Sequence, residues 1–237
     1  MLPDNFGQRG EYAGAAIWGS SPSIDIRRNH VYIGAGNLYS APKNVRDCQE
    51  RQNNRTDMPS TDIDVVVQKT GYAWALDCDN GKLIWSTEVG PGGLTGGGTW
   101  GAATDEKRVY TNIANSDRKN FTLQPSTKVT TAGGWVAIGS KSGRVLWSTA
   151  DPSNGTANGP VTVANGVVIG GSNKDQMYAM NAMTGEILWS YKTGATIYGG
   201  ASVSNGCIYL GRGYKVSVGL SDPSFTAGNS LFTFCVT

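Results

Sequence analysis

Short apolar runs separated by glycine-centred polar corners fill most of the chain, and three of them are copies of one phrase. The copies are AWALDCDNGKLIWS (73–86), WVAIGSKSGRVLWS (135–148) and MYAMNAMTGEILWS (177–190). Ala75, Ala137 and Ala179 each lie six residues before Gly81, Gly143 and Gly185, and each glycine lies four before Trp85, Trp147 and Trp189. An apolar strand, a polar corner ending in Asn-Gly, Ser-Gly or Thr-Gly, and a second apolar strand predict a β-hairpin, with glycine where the corner needs a positive φ. The closing tryptophan then presents a large flat face to a neighbouring unit.

A second pattern precedes each hairpin. GPVTVANGVVIGGSN (159–173) and GGASVSNGCIYLGRG (199–213) each read as a small-residue strand, an Asn-Gly turn and a β-branched or aromatic strand, with GTWGAATDEKRVYTNIAN (98–115) a looser copy. Four strands therefore recur per unit. Gly143 to Gly185 is 42 residues and Gly81 to Gly143 is 62, the excess lying in the polar insert SDRKNFTLQPSTKVTTAGG. A four-stranded repeat of about 40 residues with one tryptophan predicts β-propeller blades.

The expected fold is an all-β, incomplete ring of about four blades, a single partial domain over 1–237. Its units are 14–92, 97–150, 157–194 and 197–237. The first is irregular: 14–37 supplies the first two strands of one blade and 62–86 the last three of another, so an internal deletion is expected at 43–63. The last unit ends before its fourth strand. Two copies joining to complete one ring is the self-association this reading leaves open.

Composition changes this picture only in what it excludes. Glycine is abundant at 33 residues, and charged residues are sparse at 16%. The net charge of +2 is scattered along the chain, so no nucleic-acid partner is expected. No apolar run reaches the roughly 18 residues of a membrane span, and MLPDNFGQRGEY lacks the layout of a signal peptide. Four cysteines without CxxC spacing and a single histidine, His30, exclude attached haem c. Sequons at Asn54, Asn120 and Asn154 suit N-glycosylation of a secreted protein. Cys207 and Cys235 fall on strands of the same last unit, where a disulfide and two buried thiols are both open readings.

The phrase A-x-D-x-x-T-G-x-x-x-W resembles the tryptophan-docking motif of quinoprotein (PQQ) dehydrogenase propellers, whose tryptophans clip neighbouring blades together. Ala75, Asp77, Gly81 and Trp85 match it, as do Ala179, Thr184, Gly185 and Trp189, whereas the middle copy has Gly139 in place of Asp. GAAIWGSSPSID, GGGTWGAATDEKRVYTNIAN and DPSNGTANGPVTVANG are similar to the plant polyvinyl-alcohol-dehydrogenase-like group of that superfamily. The resemblance implies PQQ and Ca²⁺ as cofactors, an alcohol substrate, an extracellular setting in complete relatives, and docking roles for Trp85, Trp147 and Trp189.

Candidate site residues follow from the axial funnel, where inner strands converge. Trp18 and Trp100 break the small-residue habit of those strands and, with Tyr198, are candidates to stack on a flat cofactor or simply to pack. A calcium-assisted alcohol oxidation implies hard oxygen ligands, for which Asn37 and Asn115 are candidates, and an acidic base, for which Asp25 is the candidate. A loop-capping role is the alternative for all three. The alternative for the whole chain is a non-catalytic propeller that binds a ligand or protein, or a truncated product without activity of its own.

Overall fold

The structure, a computed structural model, describes residues 13–14, 23–25, 30–32, 38–40, 63–93, 95–215 and 218–235, with side chains from Val65 onward except Val218. The repeat phrases become antiparallel hairpins whose neighbours in sequence pair in space. Near the N-terminus β1 (Ala13–Gly14) pairs with β4 (Leu38–Ser40), and β2 (Ser23–Asp25) with β3 (His30–Tyr32). A three-stranded sheet follows from β5 (Ile63–Val67), β6 (Tyr72–Asp77) and β7 (Leu83–Glu88). The deletion expected at 43–63 falls almost wholly outside the described residues, among which this sheet has three strands.

The next sheet has four strands, β8 (Ala103–Thr104), β9 (Arg108–Ile113), β12 (Gly134–Gly139) and β13 (Val145–Ala150). The polar insert between β9 and β12 folds as its own small hairpin, β10 (Phe121–Thr122) against β11 (Val129–Thr130). Another four-stranded sheet comprises β14 (Thr162–Ala164), β15 (Val167–Gly171), β16 (Gln176–Asn181) and β17 (Ile187–Lys192). The last has three strands, β18 (Ser202–Ser204), β19 (Cys207–Gly211) and β20 (Leu231–Cys235), with a one-turn helix α1 (Val218–Ser221) before β20. The described sheets form an all-β, incomplete propeller ring.

Turn chemistry fixes the registers. Asn165–Gly166 and Asn205–Gly206 have φ of 48° and 77°, and 50° and 72°, the left-handed pair that a two-residue hairpin turn requires. At the corners, Asp77 Oδ1 accepts the Asp79 amide at 2.9 Å and Asn181 Oδ1 accepts the Met183 amide at 2.8 Å. In the middle copy Gly139 stands in place of that acceptor, and a Cβ there would meet the rotatable hydroxyl of Ser142 at 2.6 Å.

The core lies between sheets. Trp85, Ile113, Val136 and Ile138 pack the first sheet on the second, and Tyr110, Trp135, Trp147, Tyr178 and Met180 pack the second on the third. Ile169, Met177, Ile197 and Leu210 join the third to the fourth. Trp85 donates its indole N–H to Ser140 O at 2.9 Å, and Trp147 to Ala182 O at 3.0 Å, each reaching the corner of the next sheet. Trp189 departs from the expected docking role. It is 39% exposed and rests on Phe234 of the last sheet at 5.2 Å, and among the described residues no corner meets it. Cys207 and Cys235 form a disulfide across β19 and β20, which decides between the two sequence readings.

Candidate functional site

Three inner strands, β8, β14 and β18, are each entered through a short loop of small residues carrying one larger ring. Those entrances are Gly98-Thr99-Trp100-Gly101, Asn158-Gly159-Pro160 and Tyr198-Gly199-Gly200. Polar bonds lash them together. Thr99 donates its hydroxyl to Asn158 O at 2.6 Å, and Asn112 donates its amide to Thr99 Oγ1 at 2.7 Å and Ala157 O at 2.6 Å. Thr162 donates to Ala201 O at 2.6 Å. Asn112 is fully buried and Asn158 nearly so, so these bonds form where unmet polar groups are costly and the entrances are held in fixed relation.

On this frame sits an aromatic step. Trp100 is 38% exposed, has φ of 68°, and meets Tyr198 edge-on with ring centroids 5.8 Å apart. Tyr198 stacks on Tyr214 at 4.2 Å and 11°, and buried Phe225 backs the pair at 5.7 Å from Tyr198. A tryptophan with positive φ is strained, since its Cβ crowds the following carbonyl, and such strain persists only where the surroundings enforce it. Burial pushes the Tyr198 phenol above its ordinary pKa and the neighbouring Tyr214 adds to this, outweighing a lowering hydrogen bond with Trp100. Tyr198 is therefore neutral, and Gly98, Gly101, Gly199 and Gly200 flank the two rings.

The sequence candidates separate clearly. Trp100 and Tyr198 come together. Asn115 does not join them as an ion ligand: it is 1% exposed, its amide donates to the carbonyls of Lys119, Thr131 and Ala132 at 2.9–3.1 Å, and its Oδ1 accepts the Lys119 amide. Its side chain closes the loop around the insert. Asp25 ends β2 opposite His30, and its side chain, like Trp18, Asn37 and Asn54, lies outside the described residues. Asn120 and Asn154 are exposed, although Thr156 of the Asn154 sequon is buried and bonded to Asn158. Tyr214 and Phe225 come from the long β19–β20 connection, and no repeat marks them.

The step has the face a planar quinone ring needs. A calcium cage is a different matter: among the described residues no group of three or more His, Cys, Asp or Glu converges, and Asn115 is committed elsewhere. Among the described residues, the step offers such a ring an exposed indole and gathers no acidic cluster.

Residues 69–229 match the PQQ-like family described as outer membrane protein assembly factor BamB. The chain belongs to this family of PQQ-type propellers. It is 25% identical to a polyvinylalcohol dehydrogenase of a Pseudomonas species and 22% identical to one of Sphingopyxis sp. (strain 113P3), over 94% of this chain in both cases. It spans 45% of the length of each of those relatives. Among solved structures, BamB from Moraxella catarrhalis superposes with a TM-score of 0.50 at 15% identity, covering 85% of this chain and 61% of that one. The computationally designed Ika4 protein gives 0.52 at 9%, covering 75% and 88%. These likenesses carry the fold.

Proposed function

We propose that this chain forms part of the funnel wall of a PQQ-dependent, alcohol-oxidising propeller, with the Trp100–Tyr198 step as the surface on which the quinone ring lies. One observation carries the reading. Trp100 presents its ring beside the inner-strand entrances, in a strained conformation and braced by the stacked, half-buried pair Tyr198 and Tyr214. When bound, PQQ accepts the two electrons taken from an alcohol. This chain's own residues provide the flat face (Trp100), hold its angle (Tyr198 and Tyr214) and exclude water behind it (Phe225). The polyvinylalcohol dehydrogenase relatives support a secondary-alcohol polymer as substrate. The Cys207–Cys235 disulfide supports an oxidising compartment, and hence export.

A second reading, a propeller that binds protein and oxidises nothing, is favoured by the description of the matched family as an assembly factor. Titration with PQQ, with and without Ca²⁺, separates the two. The enzyme reading expects saturable quenching of tryptophan fluorescence, weakened about tenfold in Trp100→Leu through loss of the stacking face. It also expects dye reduction that depends on added alcohol. No binding at saturating cofactor leaves only the second reading.

A further inference from the structure

The second and third sheets share one plan but differ in one connection. Between β15 and β16 the third sheet turns within residues 172–175, whereas between β9 and β12 the second sheet carries 114–133, with the hairpin β10–β11 inside it. The third sheet packs on both neighbours without such an insert, so blade docking does not require one. Gln124 pins the hairpin to β13: its N–H donates to Ser148 Oγ and its C=O accepts the Ser148 N–H, both at 2.7 Å. Phe121 packs with Val145 against the core that holds Trp85. Between the hairpin, β13 and the end of β7 a cleft of about 280 Å³ remains. That is the lower end of ligand-site volumes, enough for a short stretch of chain.

The lining divides by chemistry. Val89, Phe121 and Val145 form an apolar side, and Glu88, Asn120, Thr122 and Gln124, all exposed, form a polar one. None of these four polar side chains has a hydrogen-bond partner among the described residues. The two amides and the hydroxyl both donate and accept, and the carboxylate accepts. No lysine or arginine lines the cleft, and Lys119, next to Asn120, is turned to Gly92 O at 2.6 Å. Such a wall repels anions and suits hydroxyl groups, which themselves donate and accept, on a hydrocarbon chain lying against the apolar side. We propose that this cleft binds a short stretch of a neutral polyhydroxylated chain, the secondary-alcohol polymer, at a docking site separate from the Trp100–Tyr198 step. The choice of polymer rests on the alcohol-oxidising reading above, whereas the chemistry of the cleft does not. Placement favours a long ligand. β9 ends where antiparallel β8 begins, so the insert that follows β9 and the Trp100 entrance to β8 lie at the same end of the sheet. β13 and β8 are its outer and inner strands, three strand spacings or roughly 14 Å apart. A small alcohol held in the cleft is out of reach of the step, but a chain can lie across both, and holding it at one site raises its effective concentration at the other.

The probe is a vinyl alcohol oligomer of a few repeat units, titrated by calorimetry into the full 237-residue chain without PQQ, beside an oligosaccharide of similar length. Saturable binding of the oligomer is expected, at least about tenfold weaker in the double variant Asn120→Ala, Gln124→Ala through loss of two hydrogen-bonding amides. Its urea midpoint should hold, because the bonds that pin Gln124 to Ser148 come from the Gln124 backbone. Glu88→Ala, on the opposite wall, is expected to weaken binding severalfold and serves if the hairpin variant fails to fold. Trp100→Leu should leave oligomer binding unchanged, and the cleft variants should leave PQQ quenching unchanged, so failure of the quinone reading and failure of the cleft reading are separate results. No saturable oligomer binding, or binding indifferent to the cleft variants, overturns the proposal. Tighter binding of the oligosaccharide than of the oligomer also overturns it and assigns the cleft to a sugar.

Discussion

The strands β13 and β17 are copies of one sequence phrase, yet one is a docked wall and the other an open shelf. Trp147 on β13 is 2% exposed, its indole bonded to Ala182 O and its ring lying where a Cβ on Gly185 would sit. Trp189 on β17 is 39% exposed and meets the rings of Tyr191 on its own strand and Phe234 on the last sheet. Nothing within the phrase accounts for the difference. What differs among the described residues is whether a corner of the following sheet meets the ring, so the phrase is half of a clasp and its energetic worth is set by its partner.

The sharpest way to break this comparison is to delete each tryptophan. Trp147→Ala removes a buried ring and an indole bond and is expected to cost about 3–5 kcal/mol in urea unfolding. Trp85→Ala falls in the same range, its ring being 8% exposed. Trp189→Ala is expected to cost about 1 kcal/mol or less, close to the range of surface substitutions. Equal losses at Trp147 and Trp189 would show that the last sheet seats its tryptophan as fully as the others.

Glycine substitutions probe the other half of the clasp. At Gly185, φ of 73° is joined by a Cβ that would lie 2.5 Å from Trp147 Cε3, and at Gly143, φ of 66° by one 2.7 Å from Trp85 Cδ2. Alanine at Gly185 therefore adds overpacking to left-handed strain, for an expected loss of about 2–4 kcal/mol. Gly81 has the same turn, φ of 70°, but nothing among the described residues lies within 4 Å of its Cβ position. Gly81→Ala is expected to lose about 1–2 kcal/mol, the conformational part alone. Thermal unfolding of the two variants measures the contact directly.

The ease with which the blades are read from sequence, against the difficulty of the site, has the same origin. Corner glycines and closing tryptophans are local demands repeated in register, so Gly81, Gly143 and Gly185 declare the hairpins unaided. The aromatic step is non-local: Trp100 and Tyr198 stand out as large rings in small-residue loops, while Tyr214 and Phe225 reach them from a non-repeating connection. Asn115 misleads because a calcium ligand and a loop staple use the same amide, and only the carbonyls of Lys119, Thr131 and Ala132 reveal which it is. The exposure of Trp189 is hidden for a related reason, since it is set by what meets the ring and not by the repeat itself.

The smallest expected effect tests whether the docked seat is linked to pH. Tyr110 packs on Trp147 at 6.1 Å and places its hydroxyl 2.8 Å from Asp105 Oδ2 and 3.1 Å from Ala182 O, the carbonyl that Trp147 uses. Burial first, then the Asp105 carboxylate, push the Tyr110 phenol up to about 12. An unfolded tyrosine ionises near pH 10, so the contribution of Tyr110 to stability is complete below that value and is lost as pH rises toward about 12. Asp105 runs the opposite way. Burial raises its pKa, but hydrogen bonds from Tyr110 and from the Arg108 backbone and guanidinium outweigh this and hold it below the ordinary carboxylate value. Its contribution is present above that ordinary value and is lost as pH falls through the depressed one. The stability gap between the parent protein and Tyr110→Phe should therefore be widest through the neutral range and narrow at both extremes, measured by urea midpoints across pH. Trp189→Ala, remote from this pair, should leave the pH profile unchanged. A gap independent of pH would mean that Tyr110 steadies the seat of Trp147 by ring packing alone.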